Sequence, residues 1–113
     1  MNHEIVIDQQ TIGDMVVLRP AGDIDMARSS TVRKAVSEVV RVRPAKLVMD
    51  LTSVEYMDSS GIATLIEGLQ SSMRNKMKFV LVGVTPKVRS AFEITKLIGM
   101  FTICANIDDA AKI

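Results

Sequence analysis

The chain is short of the features that several functional classes require. It has one cysteine, Cys104, so it cannot form an intramolecular disulfide, and a lone thiol in an apolar run suits the core of a protein from a reducing compartment. Aromatic residues make up 4% of the sequence and tryptophan is absent, which leaves few side chains to stack on bases. Basic and acidic residues number 14 and 13, so no net field attracts nucleic acid.

Long hydrophobic runs are also missing. The longest apolar runs have the length of a β-strand, and the start of the chain lacks a basic region followed by an apolar stretch. These observations predict a cytoplasmic protein that does not insert directly into a membrane. We find no repeat period and no Pro/Ser-rich linker, so residues 1–113 are expected to form a single domain.

The first third of the chain predicts a hairpin followed by a helix. Residues 4–10 and 15–21 are rich in β-branched residues, and residues 11–14 between them supply turn formers. Apolar residues then recur at spacings of three and four, which predicts an amphipathic helix that begins near Ser29 or Ser30 and ends before Pro44. The basic residues around this helix are interpreted as a solvated face: Arg28, Arg33, Lys34, Arg41, Arg43 and Lys46.

The rest of the chain alternates between strands and helices. Residues 46–51, 79–84 and 101–104 read as short buried strands. Helices are predicted from residue 62 to a left-handed end at Asn75, from Thr85-Pro86, and from a cap at Asn106 or Asp108 to Ile113. The fold class is therefore α/β, with a mixed, mostly parallel sheet of four to five strands, an N-terminal hairpin and about four helices.

In such a sheet the loops that leave the carboxyl ends of the strands gather on one side. Residues 22–25, 50–61 and 83–86 are expected to meet there. Four carboxylates fall in these loops, and a metal site or a phospho-accepting aspartate is one interpretation of them. Because apolar Ile24 separates Asp23 from Asp25, and no lysine follows the last strand, turn and cap roles are favoured for Asp23, Asp25, Asp50 and Asp58.

The segment Met57-Asp58-Ser59-Ser60-Gly61-Ile62 places two hydroxyls between an acid and a glycine, directly before a helical pattern. One hydroxyl is sufficient as a helix cap, and a second could accept a phosphate at the positive end of the helix dipole. The residues themselves leave both roles open. Met57 is likewise either a core residue or part of an apolar docking patch with Ile62 and Ala63.

Catalysis and cofactor binding have little support. A nucleophilic Ser59 would need an oriented base, the only histidine is His3 in an end that we expect to fray, and no Gly-x-Ser-x-Gly elbow surrounds the serine. No phosphate-cradling glycine motif occurs either. We therefore expect no enzyme activity, no cofactor and no metal.

At this point the chain resembles the STAS family, named for sulfate transporters and anti-sigma-factor antagonists, and it looks most like the stand-alone bacterial antagonists. The resemblance covers nearly the whole chain. Residues 22–25 resemble the family's Gly-acid-aliphatic-Asp turn, residues 47–51 its central strand, residues 57–62 its phosphorylation loop and residues 85–92 its third-helix opening. Ala63 departs from the family, whose antagonists often have a glycine there.

The resemblance implies a partner switch. The unphosphorylated protein would bind an anti-sigma factor that is also a serine kinase, phosphorylation of Ser59 would release it, and a serine phosphatase would restore binding. The implied partner contacts are Asp23, Asp25, Met57, Asp58, Ser60, Gly61, Ile62 and Ala63. As the family also contains subunits of lipid-transporting ABC systems and of signalling complexes, a non-catalytic subunit of such an assembly is the alternative.

Overall fold

The computed structural model describes residues 5–113, so Glu4 and His3 lie outside the described residues. A five-stranded sheet has the order β1-β2-β3-β4-β5, in which β1 is antiparallel to β2 and the other neighbours are parallel. The strands are β1 (Val6–Ile12), β2 (Met15–Ala21), β3 (Lys46–Asp50), β4 (Lys78–Val82) and β5 (Thr102–Cys104). The predicted fold class is confirmed.

The helices are α1 (Ser29–Val42), α2 (Ser59–Arg74), α3 (Pro86–Thr95) and α4 (Ile107–Ala111), with a 3₁₀ turn at Ile98–Met100. Proline at the first position of α3 and the Asn106 cap of α4 are as predicted, since the Thr85 and Asn106 side chains accept amide hydrogen bonds of their first turns. None of the helices within residues 5–113 is both long and apolar enough to cross a membrane.

The two faces of the sheet bury separate apolar clusters because side chains alternate along each strand. Val16 and Leu18 of β2 face the larger cluster, which α1, α2 and α3 complete with residues such as Val36, Leu65 and Phe92. Met15 and Val17 face a smaller cluster that Ala110 of α4 covers, and Cys104 is only partly buried against it. The three-helix face is therefore the main core.

Two local predictions are wrong. The first strand continues to Ile12, because Thr11 pairs with Val16 and Ile12 with Met15, so the turn contains only Gly13 and Asp14. At the end of α2 the left-handed residue is Lys76, with φ of 59°, whereas Asn75 has φ of −101°. The side-chain amide of Asn75 instead donates to the Ser71 carbonyl oxygen at 2.8 Å, which caps the last turn of α2.

Lys46 also departs from the solvated basic face that the sequence suggested. Its side chain is 7% exposed, and its Nζ donates to the carbonyl oxygens of Ala110 at 2.5 Å and Ile113 at 2.6 Å. These acceptors lie at the C-terminal end of α4, where free carbonyls and the negative end of the helix dipole favour a cation. Lys46 thus fastens α4 to β3.

Candidate functional site

The site is built where the loop after β2 meets the segment before α2. The Gly22 amide donates to the Ser53 carbonyl oxygen at 2.9 Å, and the Ile24 amide to that of Tyr56 at 2.9 Å. Ile24 also forms a parallel bridge with Met57. Both side chains are buried, so these contacts hold the two loops together on the main core. The loops thus meet at the carboxyl end of the sheet, as expected.

Asp58 connects both loops to the start of α2. Its Oδ1 accepts hydrogen bonds from the Ser60 amide at 2.9 Å, the Gly61 amide at 3.2 Å and the Ser60 hydroxyl at 2.6 Å. Its Oδ2 accepts one from the Met26 amide at 3.1 Å, which comes from the loop after β2. Asp58 is therefore the N-cap of α2 and also a tie between two segments that are distant in sequence.

The ionised form of Asp58 is the form that this arrangement favours. Burial of the carboxylate would by itself raise its pKa, but the hydrogen bond from the Ser60 hydroxyl and those from the amides of Gly61, Ser60 and Met26 outweigh burial. The pKa of Asp58 is consequently lower than its ordinary value. A fixed negative charge therefore stands at the start of α2 at neutral pH.

The two hydroxyls of the motif differ in their surroundings. Ser60 is half-buried and its hydroxyl donates to Asp58, whereas Ser59 is exposed as the first residue of α2. Within residues 5–113 the Ser59 hydroxyl has no hydrogen-bond partner, and no general base is bonded to it. The arrangement leaves Ser59 accessible to a group supplied by another molecule, at the positive end of a helix of 16 residues.

Some of the predicted partner-contact residues are buried and others lie at the surface. Met57 and Ile62 belong to the core and Gly61 is buried beneath the loop, so of the two interpretations of Met57 the core role is the one observed, and an apolar docking patch does not include Met57 or Ile62. Their packing fixes the loop from below. Ala63 is exposed one turn after Ser59, while Asp23, Asp58 and Ser60 are half-buried at the surface.

Sequence reasoning missed two exposed apolar residues at this site. Met26, 80% exposed, follows Asp25, and Tyr56, 54% exposed, precedes Met57. Hydrophobic periodicity gave no signal for either residue, but each is the immediate neighbour of a predicted site residue. Met26 and Tyr56 belong to the segments that Asp58 and the Ile24 amide tie together, so they flank the start of α2.

The carboxylates of Asp25 and Asp50 serve local structure. Asp25 accepts the Arg28 amide at 3.1 Å and pairs with the Arg28 guanidinium at 2.6 Å, which is a turn role, because α1 has Arg28 as its N-cap and no side chain caps it. Asp50 accepts the Thr52 hydroxyl at 2.6 Å and lies 3.3 Å from the guanidinium of Arg19. Among residues 5–113, His, Cys, Asp and Glu side chains form no group of three or more that could hold a metal ion.

Comparisons with known proteins agree with this architecture. The model of the STAS domain matches residues 6–110. Over 98 residues, covering 86% of this chain and 84% of the relative, the sequence is 33% identical to an anti-sigma-B factor antagonist of Listeria monocytogenes. It is 27% identical to an anti-sigma-F factor antagonist of Mycobacterium tuberculosis over 85% of this chain and 78% of that relative.

A solved structure gives the same result. The crystal structure of an anti-sigma factor antagonist from Mycobacterium paratuberculosis superposes on this chain with a TM-score of 0.88. The two sequences are 26% identical, and the superposition covers 99% of this chain and 95% of that one. The family model, the sheet order and these relatives point to one family, and the chain belongs to the STAS domain family.

Proposed function

We propose that this chain is an anti-sigma-factor antagonist whose binding to an anti-sigma factor is switched by phosphorylation of Ser59. The observation that carries the proposal is the difference between the two hydroxyls. Ser59 is exposed and unbonded within the described residues, while the Ser60 hydroxyl is held by Asp58. A kinase therefore meets one free hydroxyl in this motif. The names of the 33% and 27% identical relatives support the same function.

The proposed contact surface surrounds Ser59. Met26, Tyr56 and Ala63 supply exposed apolar area beside the serine, which suits the centre of a protein interface. Asp23, Asp25, Asp58 and Ser60 supply a polar rim. The partner we propose is an anti-sigma factor with serine kinase activity, so that the phosphoryl transfer is performed on this chain by its partner and this chain needs no catalytic activity of its own.

Electrostatics supports a switch of this kind. A phosphate adds about −1.5 to −2 charges, and a partner carboxylate about 4 Å away would be repelled by about 4 kcal/mol per charge at an effective dielectric constant near 20. Changing occupancy from 1:99 to 99:1 requires about 5.5 kcal/mol. One phosphate placed beside such a partner carboxylate would thus supply enough energy for release. A serine phosphatase in the same cytoplasm would reverse it.

The test starts with the native partner. Unphosphorylated protein is used to recover bound proteins from the cytoplasm of its own organism, and mass spectrometry identifies them and maps any phosphate. The recovered kinase is then titrated with wild type, Ser59→Ala and Ser59→Glu. We expect Ser59→Ala to bind in the presence of ATP without being released, and Ser59→Glu to bind at least about 100-fold more weakly. Equal affinities for the two variants would contradict the proposal.

Two control variants separate a specific effect from a general one. Ser37 is exposed on α1, so Ser37→Glu introduces the same charge away from the loop and should leave affinity unchanged. Ser60→Ala removes the hydroxyl that Asp58 holds but keeps Ser59, so it should still be phosphorylated. A transporter ATPase recovered in place of a kinase would favour the alternative of a non-catalytic subunit in a membrane or signalling assembly.

A further inference from the structure

The outer edge of β1 is open within the part of the chain that the structure describes. Among residues 5–113, β1 pairs with β2 alone, and six of its seven residues are exposed. Proteins usually protect such an edge with proline, a bulge, several charges or a short strand. β1 contains no proline and no bulge, carries a single charge at Asp8, and is as long as β2.

The hairpin turn fixes which backbone groups of β1 face outward. The turn has two residues, with Gly13 at φ of 61°, so Ile12 and Met15 on either side of it exchange both hydrogen bonds. Bonded pairs then alternate along the hairpin, which directs the amides of Asp8, Gln10 and Ile12 towards β2. The amides and carbonyls of the intervening residues point away from the sheet: Ile7, Gln9 and Thr11.

These outward groups are self-complementary about Gln9. An antiparallel copy of β1 centred there pairs Gln9 with Gln9 of the second copy and Ile7 with Thr11, which are the residues whose backbone groups are free for bonding. The same register places Val6 opposite Ile12 at both ends. These are the exposed apolar residues of the strand, at 73% and 39%. The pairing would bury them against each other.

Charge selects this register over its neighbours. Centred on Gln9, each Asp8 lies opposite Gln10 of the other copy, so no like charges meet. Centred on Asp8, the two carboxylates would lie directly opposite one another, which is unfavourable. In a register centred on Gln10, Asp8 would lie opposite apolar Ile12, and Val6 would extend beyond the end of the other strand and have no partner in it. Of these three registers, the one centred on Gln9 is the one that matches backbone groups, apolar pairs and charge together.

We propose that two copies of this chain associate through β1, antiparallel and centred on Gln9, to form one continuous sheet. A C2 pairing of this kind is closed, since it consumes the edge that creates it. A seven-residue ribbon buries less than the roughly 1,200 Å² of a standard interface, so the dimer should be weak and concentration-dependent. It uses none of the groups around Ser59 and does not depend on phosphorylation.

Sedimentation equilibrium of the 113-residue chain from micromolar to millimolar concentration tests the dimer. Gln9→Lys places two lysines opposite one another and should raise the dissociation constant about fivefold. Gln10→Lys faces Asp8 of the other copy and should lower it by a similar factor. Gln70→Lys, an exposed change on α2, is the matched control and should leave it unchanged. An equimolar mixture of Gln9→Lys and Gln9→Glu should associate more tightly than either alone.

Amide exchange gives a second, independent readout. Raising the protein concentration should slow exchange of the outward amides of Ile7, Gln9 and Thr11, while exposed amides elsewhere keep their rates. A chain that stays monomeric at millimolar concentration would overturn the proposal. A dimer that responds equally to Gln9→Lys, Gln10→Lys and Gln70→Lys would also overturn it, because association would then use another surface.

Discussion

A methyl group at position 61 should disrupt the loop around Ser59 from its buried side. Gly61 lies in the first turn of α2, directly against the bridge between Ile24 and Met57. A Cβ built on Gly61 would lie 2.5 Å from the Ile24 carbonyl oxygen and 2.5 Å from Met57 Cγ. Favourable contacts between carbon atoms require about 3.5–4.0 Å. Gly61→Ala therefore cannot be accommodated without movement of the loop.

The expected cost follows from what can move. The Met57 side chain can change rotamer, but the Ile24 carbonyl belongs to the backbone and accepts the Asp58 amide at 3.3 Å. Overpacking of this kind costs about 1–3 kcal/mol, and a backbone obstacle places Gly61→Ala at the upper end. Alanine regains up to about 1 kcal/mol of helix propensity. We expect a net loss of about 2 kcal/mol, or a Tm lower by about 8 °C.

Urea unfolding of Gly61→Ala beside Gly99→Ala isolates the steric effect. A Cβ at Gly99 would meet no atom within 4 Å, and that residue is exposed, so its variant should stay within about 0.5 kcal/mol of wild type. The urea midpoint of Gly61→Ala should fall clearly below those of wild type and Gly99→Ala. If Gly61→Ala unfolds at or above the wild-type urea concentration, the close approach of α2 to the Ile24–Met57 bridge is not the constraint that we infer.

Two further predictions concern Asp58 and Lys46. Because the folded state lowers the pKa of Asp58, its charge contributes stability that is complete above the unfolded pKa of about 3.9 and is lost as pH falls through the lower folded pKa. Asp58→Asn keeps an oxygen that can cap α2 but removes the charge, so it should cost about 0.3–1 kcal/mol at pH 7, and urea midpoints should show the difference shrink towards pH 2; a constant difference would contradict this. Lys46→Met keeps the apolar stem but leaves the carbonyl oxygens of Ala110 and Ile113 without their donor. The free energy of unfolding should therefore fall by about 1–3 kcal/mol, and amide hydrogen exchange in α4 should become faster. If neither quantity changes, Lys46 does not fasten α4 to β3.

The parts of the fold that the sequence predicted are those with strong local signals. Apolar runs identified β3 and β4, and recurrence at three and four residues identified α1 and α2 within a few positions. A cap at the start of α2 was also visible, because an acid and two hydroxyls precede an apolar periodic run, although the residues left open whether Asp58 or a serine supplies it; the structure has Asp58 there. These features are decided by neighbouring residues, so a single sequence carries them.

The errors arise where distant segments decide the outcome. Thr11 and Ile12 look like turn residues until their pairing with β2 extends the strand. Lys46 looks solvated until α4, more than sixty positions later, brings its carbonyls to the ammonium group. Met57 becomes core because Ile24 pairs beside it, which leaves Tyr56 at the surface instead. Propensity and periodicity contain no information about these partners.

If Ser59 is phosphorylated as we propose, the position of Asp58 lets the phosphate act through its charge without a change of fold. The Oδ1 of Asp58 already accepts hydrogen bonds from the amides of Ser60 and Gly61, and a helix start would otherwise offer these donors to a phosphate. A phosphate on Ser59 would therefore share the positive end of α2 with a carboxylate while the loop keeps its hydrogen bonds. Its charge would remain exposed at the protein surface, where a bound partner would have to desolvate it or be repelled by it.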